Sequence, residues 1–412
     1  MTTTSTGTVT GAPPLPEPDL TEEEAIARAR SIAVRLVERQ GETEERGYYA
    51  ADLHEEFRDA GFYRVLVPRR YGGYEFGPST FMRIATELAR GCPSTAWMYL
   101  FGAAHALVAG TLFDEEVQDE LFAEGDFICP ATVAPSGSAT RTDHGWLIEG
   151  TWGYCSGAPY ATHFIGHTLV PGPDPDGPPL PLMFVVPSSA FERLDDWGDQ
   201  LGLRGSGSHS IRLNGVVVPD RHTLVGHLSR IQVTDDTPGR ALHGPYYGGG
   251  PLGFMLLELG VLATGMARGA LDAYADLMRA RSTSFPPIVP RTEDPDYQLR
   301  FGTATGMIAA ADAAMTDAVR QWEAMCEEGA GAFTRERELR LALISREAVR
   351  LAWRAVEGQL LPTAGSGAIR RGERLERVWR DLSTVHSHLG NGVFLATHAN
   401  RELAMAHFGL LP

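Results

Sequence analysis

Lysine is absent from all 412 positions, so each of the 36 basic residues is an arginine. That absence removes Schiff-base catalysis, a pyridoxal phosphate anchor and the Walker-type phosphate lysine together. Cysteine is scarce: Cys92, Cys129, Cys155 and Cys326 are scattered, with no C-x-x-C pair and no zinc spacing. Such usage fits a reduced, cytoplasmic protein. The Thr-, Gly- and Pro-rich N-terminus lacks an apolar h-region, and no apolar run reads as long enough to span a membrane, so neither a signal peptide nor a transmembrane helix is expected. Net positive charge is also missing. The formal net charge of -16 argues against nucleic acid or an anionic membrane as partner, since both require cations that displace counterions.

What is present is a composition of 43% hydrophobic and 21% charged residues, that of an ordinary globular protein, over a length that suits two or three domains. Residues 1–18 read as a disordered tail. Over 19–127 the pattern is helical. Thr21 followed by Glu22, Glu23 and Glu24 predicts a capping box, Ile26, Ala29, Ile32, Ala33, Leu36 and Val37 make an apolar face, and Gly61 ends a second helix over 50–60. Between 128 and 245 short alternating runs at 146–149, 164–170, 182–186 and 211–218 predict an antiparallel β-barrel or sandwich, with 171–181 as a surface loop. Over 246–412 four long helices at 254–281, 295–327, 335–359 and 374–408 predict an antiparallel bundle.

Two tempting motifs dissolve on inspection. Gly248 to Gly253 satisfies G-x-G-x-x-G, but Gly244-Pro245-Tyr246-Tyr247 ahead of it is no buried strand, so it reads as the loop leading into a helix, and the chain shows no NAD(P)H-binding domain. His163 and His167 have metal-pair spacing but lie in a strand, where they would stand about 13 Å apart. No metal is expected.

The C-terminal stretch Trp379-Arg380-Asp381-Leu382-Ser383-Thr384-Val385-His386-Ser387-His388 carries a charge pair and two imidazoles, read as one helix. At helical spacing His386 falls on an apolar stripe with Trp379, Leu382 and Leu389. His388 falls with Arg380, Thr384 and Asn391, which makes it the candidate for chemistry and leaves His386 to packing. The run Gly150 to Gly157, with Trp152, Tyr154, Cys155 and Ser156, is equally readable as core with a turn or as an aromatic floor and hydroxyl beside a flat heterocycle.

Leu201-Gly202-Leu203-Arg204-Gly205-Ser206-Gly207-Ser208 with Asn214 to Pro219 resembles the G-x-R-G-[ST]-x-[ST] … V-x-V-P signature of the acyl-CoA dehydrogenase superfamily, and Val67 to Gly73 its VP-x-x-YGG. The resemblance runs from about residue 25 to 410 and implies an α+β, multidomain, acyl-CoA dehydrogenase-like fold: helical domain, central antiparallel β-domain, four-helix bundle. Dehydrogenases of that superfamily use a carboxylate base after an Arg-Asp pair. Here no acid follows Arg380-Asp381 until Glu402, and the pattern is similar to the RD-x(6)-H of two-component, reduced-flavin-dependent monooxygenases such as the 4-hydroxyphenylacetate 3-hydroxylase oxygenases and dibenzothiophene monooxygenases.

That branch implies a reduced FAD or FMN delivered by a separate flavin reductase, with O2 as co-substrate, acting through a C4a-hydroperoxyflavin on an aromatic or heteroaromatic small molecule. N-hydroxylation of an amine, and an acyl-CoA-type dehydrogenation, stay open as alternatives. By the same resemblance His388, Ser156 (hydrogen-bonded to the flavin N5) and His105 are the catalytic candidates. The implied cofactor contacts are Thr132, Trp152, Tyr154, Cys155, Ser156, Trp197, Arg281, Phe285, Gly365 and Ser366. Arg281 would reach a flavin phosphate across a subunit interface, which implies a homo-oligomer, most often a tetramer.

Overall fold

The computed structural model describes residues 13–174 and 176–411. Of the tail expected at 1–18, residues 1–12 lie outside the described residues. Residues 13–18 are tied down, because Arg64 donates to the Pro14 carbonyl at 2.7 Å and the Tyr74 hydroxyl to the Glu17 carbonyl at 3.0 Å.

Helices α1 (Glu22–Arg46), α2 (Ala51–Asp59), α3 (Pro78–Gly91), α4 (Pro93–Ala103), α5 (His105–Leu112) and α6 (Glu115–Leu121) form the N-terminal domain. The capping box is there: Thr21 accepts from the Glu24 N–H and the Glu24 carboxylate accepts from the Thr21 N–H at 2.9 Å. Gly61, at φ 77°, follows α2 as the left-handed stop.

The central domain is a sandwich of two antiparallel sheets built from β1 (Ser138–Thr142), β2 (Gly145–Trp152), β3 (His163–Val170), β4 (Leu180–Pro187), β5 (Glu192–Arg193), β6 (Ile211–Val218) and β7 (Thr223–Val225). One sheet runs β1-β2-β6-β5, the other β3-β4-β7. Trp152, Phe164, Phe184, Ile211, Leu213 and Val218 fill the space between them.

After the short α7 (Pro238–Leu242) come α8 (Pro251–Ala280), α9 (Pro295–Glu328), α10 (Arg335–Ala355), α11 (Leu361–Ala364), α12 (Arg374–Ser387) and α13 (Ala399–His407). Gly250 precedes Pro251 at the first position of α8, so the glycine run does lead into a helix. Two expectations for the bundle need correction. The third helix passes through a π-turn at Val356–Leu360, and the fourth is not continuous: α12 stops at Ser387, His388 leaves the helix at ψ 139°, and a π-helical stretch Gly390–His398 leads to α13. Glycines 390 and 392 make that stretch a poor helix former.

One core joins the two helical domains, with Phe81 and Leu88 of α3, Leu262 and Met266 of α8, and Leu382 and Val385 of α12. It also corrects the reading of apolar runs. Pro93–Leu112 and Pro251–Ala280 are long and apolar enough to cross a membrane by composition, yet 94% and 83% of the respective windows are buried inside the protein.

The loop after β5 is wedged between domains. A Cβ on Gly202 would stand 2.2 Å from the Arg380 carbonyl oxygen in α12, and one on Gly205 2.5 Å from Thr43 Cγ2 in α1. Gly202→Ala is therefore expected to lower stability by about 1–3 kcal/mol through overpacking, read as a lower denaturation midpoint at unchanged m-value. A wild-type midpoint would show that α12 yields to the extra carbon.

Candidate active site

Trp97 projects from α4, a helix on which every residue but Phe101 is buried. Its indole N–H donates to Ser156 Oγ at 2.9 Å, and its ring meets His388 edge-on at 5.6 Å and Phe101 at 4.6 Å. The structure thus brings together two of the three predicted catalytic residues, Ser156 and His388, around a tryptophan that sequence reasoning missed. Ser156 sits in a tight corner between Tyr154 at φ 62° and Gly157 at φ 98°. Behind it Ser208 Oγ lies at 2.8 Å, and Ser206 Oγ 2.7 Å beyond that.

His388 reaches this corner because α12 ends one residue earlier. The residue is exposed at one side, yet the protein packed around its ring desolvates it and lowers its pKa below the ordinary 6.5. Nδ1 accepts the Gly390 N–H at 3.2 Å, so Nε2 carries the proton of the neutral ring. His386 stacks on Trp353 at 5.1 Å, in packing as expected.

The third candidate is enclosed. His105 is buried, and its Nδ1–H donates to the Cys129 carbonyl at 2.8 Å and the Phe101 carbonyl at 3.0 Å, while desolvation takes its pKa down to about 4. It is a neutral structural histidine in this arrangement.

Asp381 governs the loop behind Ser156. Its Oδ1 accepts the Leu203 N–H at 2.6 Å, and its Oδ2 faces the Ser94 hydroxyl at 3.4 Å. Leu203, at φ 55°, is a non-glycine residue held in the left-handed region, and its carbonyl accepts the Trp197 indole N–H at 3.1 Å. Burial pushes the Asp381 carboxyl up to about 7, against the opposing pull of the Leu203 N–H and Arg380. The Arg380 guanidinium is held by Glu376 at 2.6 Å and Glu44 at 3.0 Å, and it donates to the Leu201 carbonyl at 2.9 Å.

The expected cofactor residues separate into groups. Tyr154, 73% exposed, meets Trp197 edge-on at 5.6 Å on the rim. Thr132 lies beside β3 with its buried Oγ1 unpartnered, an orphan that fits a polar ligand atom. Trp152 and Cys155 are corrected: both side chains are enclosed in the protein interior, the indole donating to the His167 carbonyl at 2.8 Å and the thiol to the Trp152 carbonyl at 3.1 Å. They shape the Ser156 corner from below and present no face to a ligand. Burial also pushes the Cys155 thiol well up.

A second patch joins Arg281 to the turn Gly365–Gly367. Arg291 joins them, its backbone N–H donating to the Arg281 carbonyl at 3.0 Å and its side chain to the Ala364 carbonyl at 3.3 Å. Arg281 stands beside Gly367 and makes no ion pair with any described carboxylate, and Phe285 is 82% exposed. A guanidinium without an ion pair among the described residues, standing at a small-residue turn, fits a phosphate-bearing cofactor such as a flavin nucleotide.

Residues 21–118 match the family described as acyl-CoA dehydrogenase, N-terminal domain, and residues 257–392 that described as acyl-CoA dehydrogenase, C-terminal domain. The chain belongs to the acyl-CoA dehydrogenase superfamily. It is 27% identical over 373 residues to the flavin-dependent monooxygenase oxygenase subunit HsaA of Rhodococcus jostii, spanning 89% of this chain and 94% of that one. It is 27% identical over 377 residues to the FADH2-dependent resorcinol hydroxylase oxygenase component of a Rhizobium species, spanning 88% and 90%. The crystal structure of the 3-HSA hydroxylase from Rhodococcus sp. RHA1 superposes with a TM-score of 0.83 at 25% identity, covering 94% of this chain and 98% of that one. The fold of the superfamily, expected from the loop signature, is therefore found.

Asp381 supplies a pH test. Its native carboxyl titrates near 7 and its unfolded one near 3.8, so between those values the native state keeps a proton that the unfolded chain releases, and this group's contribution to stability falls as pH rises. Asp381→Asn keeps an acceptor for Leu203 without the ionisation. Denaturant titrations are expected to show the variant gaining on wild type from pH 4 to 7; parallel curves would mean that Asp381 is not the titrating group.

Proposed function

We propose that this chain is the oxygenase component of a two-component flavin-dependent monooxygenase that hydroxylates an aromatic small molecule with O2 and reduced flavin. The observation that carries the reading is the Trp97–Ser156–His388 corner, in which a neutral imidazole faces an aromatic wall while the neighbouring carboxylate, Asp381, is committed to the Leu203 N–H. The names of the relatives support it, as does the FADH2 dependence of the resorcinol hydroxylase.

In this reading Ser156 and Thr132 meet polar atoms of the flavin ring, Tyr154 and Trp197 wall it, and the Arg281, Phe285, Gly365 and Ser366 patch takes the phosphate end. Reduced flavin supplies the two electrons; one oxygen atom of O2 enters the substrate and the other leaves as water. His388 presents its Nε2 proton to an oxygen of O2 or of a phenolic substrate, and it stays neutral down to below pH 6.5 because the cleft disfavours its cation. Trp97 and Phe101 exclude water and offer the apolar contact that an aromatic ring requires.

A separate flavin reductase is the electron source, in line with the oxygenase-component names of the relatives. Exposed Phe285, Ile288, Leu299, Leu389, Phe408 and Leu410 on the C-terminal domain favour a homo-oligomer, a tetramer by preference, whose neighbouring copy completes the phosphate end. The four buried free thiols suit a reducing cytoplasm.

With a reductase, NADH, flavin and a phenol, His388→Ala is expected to lower hydroxylated product roughly 100-fold while reduced flavin is still oxidised and hydrogen peroxide accumulates. Unchanged product per flavin oxidised would remove His388. Anaerobic bleaching of bound oxidised flavin by an acyl thioester, without oxygen uptake from reduced flavin, would make the chain a dehydrogenase instead.

A further inference from the structure

Glu402, the first acid in the sequence after Asp381, is not free to act as a base. Its Oε1 accepts Arg230 Nη1 at 2.7 Å and Arg335 Nε at 2.8 Å, and its Oε2 accepts Arg335 Nη2 at 2.9 Å. The carboxylate and the Arg335 guanidinium are 12% and 15% exposed, and the Arg335 fork holds the carboxyl below the usual carboxylate range. This is a sheltered, charge-assisted fork and not a screened surface pair.

The fork joins two stretches that lie apart in the sequence. On one side is the chain after His388. Its Leu395 and Ala399 pack with Leu252, Leu339 and Ala342 in a small cluster outside the main core, and over half of α13 is exposed. On the other side is the loop 226–231 after β7, where Arg335 donates to the Ser229 carbonyl at 3.0 Å. His227 in that loop accepts the Ser229 N–H on Nδ1 at 3.2 Å and donates from Nε2 to the Val133 carbonyl at 2.7 Å. His167 donates from Nδ1 to the Thr132 carbonyl at 2.8 Å and accepts the Leu228 N–H on Nε2 at 3.3 Å. Two imidazoles 5.2 Å apart thus hold consecutive carbonyls of the segment that carries the orphaned Thr132 Oγ1.

We propose that Glu402 is a positioning residue: through Arg335 it ties the chain that follows His388 to the loop that holds Thr132, and so keeps the imidazole in register with the flavin-facing segment. The proposal rests on the reading of Thr132 as a flavin contact and of His388 as the proton donor. Close to His388 the broken helix end is held by single bonds, from Gly390 to Nδ1, from Gly392 to the His388 carbonyl and from Asn391 to the His386 carbonyl. Single bonds of that kind open locally, and the charged fork further along limits how far the segment then moves relative to the β-domain. Arg335, His227 and His167 transmit the constraint; the reacting groups are His388 and the flavin.

Amide hydrogen exchange on the full chain without flavin tests the link. Glu402→Gln keeps the shape and removes the charge, whereas Arg335→Lys keeps a charge but cannot fork both carboxylate oxygens and reach Ser229 at once. Each is expected to speed exchange roughly tenfold in 131–133 and 226–231 and also in 388–398, stretches that contain neither changed residue. Each is also expected to weaken anaerobic binding of dithionite-reduced FAD by a factor of about ten. Either variant carries the test if the other does not fold. Faster exchange confined to α13 and α10, or wild-type affinity for reduced FAD in the variants, overturns the register and leaves the flavin reading standing. A wild type that binds neither oxidised nor reduced FAD overturns the flavin reading, and the role given to Glu402 with it.

Discussion

The hydrogen bond from the Leu203 N–H to the buried Asp381 carboxylate, 2.6 Å long, is the contact on which the rest of the site is built. It crosses from the β-domain loop to α12 and holds Leu203 in a left-handed conformation that a branched side chain does not favour by itself. Once Leu203 is turned, its carbonyl takes the Trp197 indole and the Ser206 N–H, and the loop continues to Ser208 against Ser156. Gly202 and Gly205 are there because helix backbones lie too close for any Cβ. The Trp97–Ser156–His388 corner is thus fixed by parts of three domains at once: α4, the β-domain loop and α12.

The second determinant is where α12 stops. Continued as a helix, the chain would carry His388 round with Thr384 and Arg380. Instead the backbone turns extended at His388, the Gly392 N–H bonds back to the His388 carbonyl at 2.7 Å, and Asn391 Nδ2 closes on the His386 carbonyl at 2.8 Å. These bonds cap the broken end and let the imidazole swing onto Trp97. Two histidines separated by one residue therefore have unrelated surroundings.

Much of the fold was legible because it rests on patterns that local sequence carries: the Thr21 capping box, the Gly61 stop, the long apolar periods of α8, α9 and α10, and strands β2, β3, β4 and β6. Strands β1, β5 and β7 escaped because they are short or polar; Ser138–Thr142 has no apolar alternation and is recruited by its pairing with β2. Trp97 escaped for the opposite reason. On a helix buried on nearly all sides no face stands out, so nothing local separates a site tryptophan from a core one. His105, Trp152 and Cys155 show the limit of matching residues to a motif: the positions correspond, yet the side chains are consumed by backbone carbonyls or sheet packing. That Arg281 stands beside Gly367 needed the fold, in which Arg291 bonds both to the Arg281 carbonyl and to the Ala364 carbonyl.

Burial acts on the ionisable groups around the corner in one consistent sense. It raises Asp381 to about 7, raises Cys155, lowers His388 and takes His105 to about 4, so each is moved toward its uncharged form. The permanent charges are held one turn back, where Arg380 is neutralised by Glu376 and Glu44. A corner of neutral hydrogen-bonding groups against tryptophan and phenylalanine suits a reaction between O2 and an aromatic ring, in which the protein must place protons without stabilising free ions. It suits α-proton abstraction by a carboxylate poorly, because an ionised base at this corner would carry the same desolvation penalty that already opposes ionisation of Asp381. On the reading proposed above, the choice between the two chemistries on one scaffold would follow from the helix break that puts an imidazole, and not a carboxylate, beside Trp97.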